Sequence, residues 1–161
     1  MCPMSRARSQ SSMYIMLMTG AGIVDADRAF TRVLNARRRA AVAGRLRGRS
    51  AAETRLQVVD AGGLDGVAAA VGRGVREVPL DEIRGTVEPS KASLFDRRFR
   101  PASAARTRWQ RVWLAEHRGA VLPPVTLVRT GDGYAISDGH HRISVARARV
   151  ATTIDATVGG F

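Results

Sequence analysis

The chain has 161 residues, a formal net charge of +12 and a sequence pI near 11.6, and 45% of its residues are hydrophobic. This length and hydrophobic content suit one domain with an extension and exclude a wholly disordered chain. All 26 basic residues except Lys91 are Arg, a bias typical of GC-rich coding sequences. The charge alone therefore does not assign a polyanionic partner.

The first 24 residues contain an apolar run, Met13 to Val24, that is too short for a membrane span of about 20 apolar residues. One interpretation is a signal peptide with a cleavage site near Val24. The other, which we expect, is a poorly ordered N-terminus (1–24) of a cytoplasmic protein without a membrane segment, with a true start at a later Met. The single cysteine, Cys2, excludes an internal disulfide and fits a reducing compartment.

Residues 25–74 predict an Arg-rich helical extension. Asp25 and Asp27 suit the N-cap of a first helix, and Ser50 with Glu53 has the spacing of a capping box for a second. Glycines follow each helical segment. Helices are predicted over 25–47, 50–59 and 64–71.

Residues 75–161 predict an α+β domain, a small mixed β-sheet with packed helices. Gly131-Asp132-Gly133 is a hairpin turn between two short alternating apolar runs. Ser103 suits the cap of a helix on which Trp109, Val112 and Trp113 share one face. Strands are predicted over 75–80, 125–129, 134–137 and 152–158, helices over 104–117 and 143–149, a helical turn at 81–84 and a loop over 86–101.

The segment Asp138-Gly-His-His-Arg occupies the predicted junction between a strand and a helix. The first N–H groups of a helix lack intrahelical partners, and Gly139 permits close backbone approach. Arg142 offers a bidentate donor for phosphate oxygens, and His140 and His141 offer donors that are neutral or cationic near neutral pH. Asp138 is suited to a divalent cation. The segment predicts a phosphate site, with a structural turn or a zinc site as alternatives.

The stretch YAISDGHHRISVAR at 134–147 resembles the core of the ParB/sulfiredoxin superfamily. The Val-Pro-Leu that begins at Val78 and the Leu-Pro-Pro that begins at Leu122 resemble two of its strands, so the resemblance covers roughly 77–158. In ParB proteins the matching Gly-x-x-Arg turn binds a nucleoside triphosphate. The resemblance implies a nucleotide-binding domain with CTP or ATP and Mg²⁺, held by residues of this turn: Gly139, His140, His141 and Arg142.

Sulfiredoxins carry a catalytic Cys in the same turn, where this chain has His140, so reduction of a sulfinic acid is not expected. The free-serine kinase branch has a closer match to Asp-Gly-His-His-Arg. That resemblance implies phosphoryl transfer, with Asp138 as the metal ligand, His141 as a catalytic group and Glu88 as a base.

Three functions are therefore open. The first is a ParB-like nucleotide-binding protein associated with DNA, and the second is a small phosphotransferase, NTPase or nuclease using the same turn. The third is a DNA-binding protein that uses no nucleotide and contacts phosphates through Arg-rich helices. The oligomeric state is open, with a dimer as one option. The candidate nucleic-acid contacts are Arg37, Arg38, Arg39, Arg45, Arg106 and Arg108.

Overall fold

A computed structural model describes residues 7–60 and 74–159, with side chains from residue 21 onward. The helix predicted over 64–71 lies outside the described residues. The helices are α1 Ala7–Leu46, α2 Ala51–Thr54, α3 Pro89–Ala92, α4 Arg106–His117 and α5 His140–Ala148, with 3-10 turns at Leu80–Glu82 and Ser103–Ala105. The strands are β1 Gln57–Val58, β2 Val75–Pro79, β3 Ile83–Thr86, β4 Val125–Thr130, β5 Gly133–Asp138 and β6 Thr153–Gly159.

The described strands form one mixed sheet in the order β1-β3-β5-β4-β6-β2. The hairpin β4–β5 closes around Gly131 and Asp132 with Thr130 opposite Gly133, as the turn sequence predicts. β3 runs parallel to β5, and β6 runs parallel to β4. Each strand of the β4–β5 hairpin therefore also pairs with a second strand on its outer side. The predicted α+β class, with a small mixed sheet, packed helices and an N-terminal helix, is confirmed.

Two apolar clusters hold the helices and the sheet together. One lies under α5 and includes Ile136, Ile143, Phe95 and Phe99. The other joins three helices and includes Phe30 of α1, Trp109 of α4 and Val145 of α5. The rings of Phe30 and Trp109 meet edge to face at 5.4 Å. This second cluster fixes the N-terminal helix against the sheet domain.

Several predicted element boundaries are wrong. α1 begins at Ala7, ahead of the start predicted at Asp25 or Asp27. The second helix stops at Thr54, although the predicted cap is present: Ser50 Oγ accepts from the Glu53 N–H at 3.3 Å. The chain then enters β1, because the backbone of Gln57–Val58 pairs with β3. The predicted turn at 81–84 is a 3-10 turn that leads into β3, and the predicted loop over 86–101 contains α3.

Candidate functional site

The turn between β5 and α5 is shaped by Gly139. Its φ is +103°, and a Cβ at this position would lie 2.5 Å from Cγ1 of Val125. Glycine is the residue that adopts this backbone conformation without strain. Because Gly139 occupies the N-cap and has no side chain to accept a hydrogen bond, the first N–H groups of α5 receive no side-chain cap. The positive end of the helix dipole is therefore left for another acceptor.

A pocket of about 370 Å³ opens in front of this turn. Its floor is the turn itself, from Asp138 to Arg142. Lys91 of α3 and Arg108 of α4 add two cationic side chains to its walls. The remaining wall is apolar and is formed by Val112, Leu122 and Pro123. The pocket thus combines a helix N-terminus, cationic groups and an apolar face.

His140 is buried and holds α5 against β3. Its Nε2 lies 2.7 Å from Oγ1 of Thr86, a fully buried hydroxyl that also donates to the Ile136 carbonyl at 3.1 Å. Thr86 Oγ1 accepts from the Glu88 N–H at 2.9 Å as well. Burial, followed by the neighbouring His141, lowers the pKa of His140 to about 4. His140 is therefore a neutral, oriented group near neutral pH.

His141 lies beside it and is also buried. Phe95 stacks near the His140 ring, with ring centroids 6.0 Å apart, and meets the His141 ring edge to face at 5.2 Å. Burial, followed by the charge of Arg108 and Lys91, lowers the pKa of His141 to about 4. Of the two charge states considered from the sequence, the neutral one applies to both histidines near neutral pH. The positive charge of the pocket comes from Lys91 and the arginines.

Arg142 is partly committed to structural contacts. Its Nη2 donates to Asp138 Oδ2 at 2.6 Å, and its Nη1 donates to the carbonyls of Pro123 and Pro124, the latter at 2.9 Å. These bonds tie the end of β5 and the start of α5 to the segment before β4. Two N–H groups, at Nε and Nη2, are not used by these contacts. Arg142 therefore shapes the pocket wall and keeps limited donor capacity toward a ligand.

Among residues 7–60 and 74–159 no group of three or more His, Cys, Asp or Glu side chains could hold a metal ion. This weighs against the zinc alternative within that part of the chain. Asp138 is 69% exposed, and only its Oδ2 contacts Arg142. Its other carboxylate oxygen could coordinate a divalent cation.

Glu88 does not line the pocket. Its carboxylate is exposed and accepts from Ser90 Oγ at 3.2 Å. Its backbone N–H, by contrast, binds Thr86 and so belongs to the network around His140. The carboxylate of Glu88, which the resemblance implied as a base, therefore does not line the pocket, and Glu88 joins the network around His140 through its backbone alone.

Two residues around the turn were not predicted from the sequence: Lys91, which lines the pocket, and Thr86, which contacts His140 without lining the pocket. Lys91 is the only lysine in the chain, which was a signal, but it falls in a segment predicted to be a loop. Thr86 carried no signal, because only its position on β3 brings it to His140. Arg108, predicted as a nucleic-acid contact, lines this pocket.

The other predicted nucleic-acid arginines divide into two groups. Arg37 donates to the carbonyls of Ser93, Leu94 and Arg100 at 2.9 to 3.1 Å, and burial lowers its pKa. Arg106 pairs with Asp27 at 2.5 Å and covers the Phe30 ring. Both dock α1 onto the domain. The second group is exposed and stays a prediction: Arg38, Arg39 and Arg45.

No helix in the described part of the chain is long and apolar enough to cross a membrane. Scans of family models and of curated proteins found no match. Among solved structures, sulfiredoxin from Arabidopsis thaliana has a similar fold, with a TM-score of 0.42 and 16% sequence identity. The similarity covers 55% of this chain and 86% of that one. This similarity concerns the backbone fold and identifies no ligand.

Proposed function

We propose that this protein binds the phosphate chain of a nucleoside triphosphate, CTP or ATP with Mg²⁺, at the N-terminus of α5. The observation that carries the proposal is the uncapped helix N-terminus at Gly139, opening into a pocket with Lys91 and Arg108 on its walls. Free backbone N–H groups and cationic side chains around one cavity form a binding site for anions.

The electrostatics of the pocket support a ligand with several negative charges. Lys91 and Arg108 form no ion pair among the residues described. Among the described residues of the pocket wall, Asp138 is the only acidic side chain, and Arg142 pairs with it at 2.6 Å. The two buried histidines add no charge near neutral pH but offer ring nitrogens as hydrogen-bonding groups. A polyphosphate would balance the excess of positive charge.

The apolar wall supports a nucleoside rather than a bare phosphate. Val112, Leu122 and Pro123 face the same cavity as the cationic groups. A base or ribose packed there would cover apolar surface while its phosphates lie at α5. Mg²⁺, when bound with the nucleotide, would neutralise phosphate charge beside Asp138.

Binding is supported better than catalysis of phosphoryl transfer. A general base near neutral pH works best with a pKa near that pH, whereas His140 and His141 have pKa values of about 4. Glu88, the base implied by resemblance, is turned toward Ser90 and is not part of the pocket wall.

The test is calorimetric titration of CTP and of ATP, each with Mg²⁺, into the wild type and the Lys91→Gln/Arg108→Gln variant. We expect wild-type binding of at least one nucleotide and at least about a tenfold loss in the variant, since charge-assisted hydrogen bonds contribute about 1.5–3 kcal/mol each. The matched control is Arg84→Gln/Arg118→Gln, which removes the same charge from two exposed positions outside the pocket. Absence of wild-type binding to both nucleotides, or an equal loss in the control, would overturn the proposal.

A further inference from the structure

A second cavity of about 380 Å³, which we call the arginine cleft, lies between the end of α1, α2 and the segment 96–100. It shares no lining residue with the pocket at α5. On α1 the cleft is lined by small residues around Ala40, Ala41 and Gly44, which recur on one helix face. Arg38 and Arg39 lie on other faces and do not line it. Small side chains on this face leave the space open.

Two arginines of the cleft are fixed structural elements. Arg37 donates to three backbone carbonyls, and Arg100 pairs with the buried Asp96 at 2.7 Å and donates to the Ala36 carbonyl at 3.1 Å. Asp96 also accepts from the backbone N–H groups of Arg98 and Arg100 at 2.9 Å. The carboxylate therefore accepts three hydrogen bonds from within the protein, and these bonds hold the wall of the cleft in place.

Four further arginines, Arg47, Arg49, Arg97 and Arg98, are exposed and line the same cleft. None of them forms an ion pair among the residues described. The described residues of the cleft include two acids. Asp96 is hydrogen-bonded within the protein and paired with Arg100, and Glu53 is the other. Among the described lining residues, six arginines stand against two acids, and this excess of positive charge attracts polyanions.

The residue types that line the cleft indicate which kind of polyanion it binds. Within the described chain, the residues of the cleft are Arg, Ala, Gly, Glu, Thr and Asp, with no aromatic or large aliphatic side chain. The described lining therefore offers no aromatic ring on which a base could stack. Guanidinium groups instead bind phosphate oxygens in a bidentate way. A ligand seated here is recognised by its phosphates, with its bases facing away.

We propose that the arginine cleft binds the phosphodiester backbone of a nucleic acid, without reading its sequence. The contacts are made by Arg47, Arg49, Arg97 and Arg98, while Arg37 and Arg100 hold the walls. Of the six arginines predicted as nucleic-acid contacts, Arg37 lines this cleft, and its guanidinium is used within the fold. The proposal does not depend on nucleotide binding at α5.

The experiment measures binding of a fluorescein-labelled DNA duplex by anisotropy across a series of salt concentrations, with no nucleotide present. For the wild type, log K should fall linearly with log salt, with a slope of about −0.9 per phosphate contacted. The Arg97→Gln/Arg98→Gln variant should bind the duplex at least about tenfold more weakly at low salt. Its slope should be less steep than the wild-type slope by about two. A second pair, Arg47→Gln/Arg49→Gln, should behave alike.

The control variant Arg84→Gln/Arg118→Gln changes the net charge equally at exposed positions outside the cleft and should keep the wild-type slope. Thermal melts should show all three variants folded, since the substituted side chains are exposed. Equal weakening by the control, or an unchanged slope in both cleft variants, would overturn the proposal. So would displacement of the duplex by inorganic triphosphate at matched phosphate concentration, because the ligand would then be a free polyphosphate.

Discussion

Lowering the pH should destabilise this protein well before its carboxylates titrate. His140 is 4% exposed and His141 is 9% exposed, and burial lowers the pKa of each from 6.5 to about 4. Between these pH values the unfolded chain binds protons that the folded chain excludes. Stability is therefore fully present above about pH 6.5 and is lost as the pH falls toward about 4.

The size of the effect follows from these values. Between about pH 7 and about pH 5, the free energy of unfolding should fall by about 2 kcal/mol per histidine, or about 4 kcal/mol for both. Such a loss is a large part of the stability of an ordinary domain, about 5–15 kcal/mol. Urea unfolding followed by circular dichroism at several pH values measures it directly.

Comparison with variants isolates the two histidines. The His140→Gln/His141→Gln protein, which has no imidazole at these positions, should lose most of this pH dependence, and His141→Gln alone should lose about half. Burial raises the pKa of Glu116, which alters the pH dependence in the opposite sense, but Glu116 is unchanged in every variant and its contribution cancels. A wild type equally stable at both pH values, or a double variant with the wild-type loss, would show that the two histidines do not cause the pH dependence.

Three further changes test the packing around the site, each by urea unfolding. Gly139→Ala should destabilise the fold by about 2 kcal/mol or more, because its Cβ would lie 2.5 Å from Val125 and its φ is positive; a neutral effect would contradict the described turn. Thr86→Val should lower the free energy of unfolding by about 2 kcal/mol, because His140 and the Glu88 N–H lose their hydrogen-bond partner. Thr86→Ser keeps the hydroxyl and should recover most of this stability. Equal losses in the two variants would show that the hydroxyl is not the cause. Arg37→Met should lower the free energy of unfolding by about 2 kcal/mol, because three backbone carbonyls lose a hydrogen-bond donor. An unchanged free energy of unfolding would show that these hydrogen bonds do not stabilise the fold.

The parts of the fold that depend on local sequence could be predicted. The hairpin follows from Gly131-Asp132-Gly133, and the junction before α5 follows from an apolar strand that ends at Asp138 and Gly139. The helical spacing of Trp109, Val112 and Trp113 predicts that they share one face of α4, and Trp109 is fully buried on that face. In each case the information lies within a few residues.

The parts that depend on distant partners could not be predicted. β1 has two residues and exists because β3 offers it a parallel edge. Thr86 becomes part of the site because β3 pairs with β5, which brings its hydroxyl to His140. Arg37 belongs to an Arg-rich run in sequence, yet its partners lie 56 to 63 residues away. Charge density along the chain therefore did not separate structural arginines from available ones.

The most direct test of nucleotide binding is a proton–nitrogen correlation NMR spectrum recorded while CTP or ATP is added with Mg²⁺. Phosphates held at the helix N-terminus should give the largest shifts at the backbone amides of His140, His141 and Arg142. The amides near Lys91 and Arg108 should follow with smaller shifts. If neither nucleotide shifts these amides, or if the largest changes centre on Arg97 and Arg98 of the arginine cleft, the helix N-terminus is not the nucleotide site.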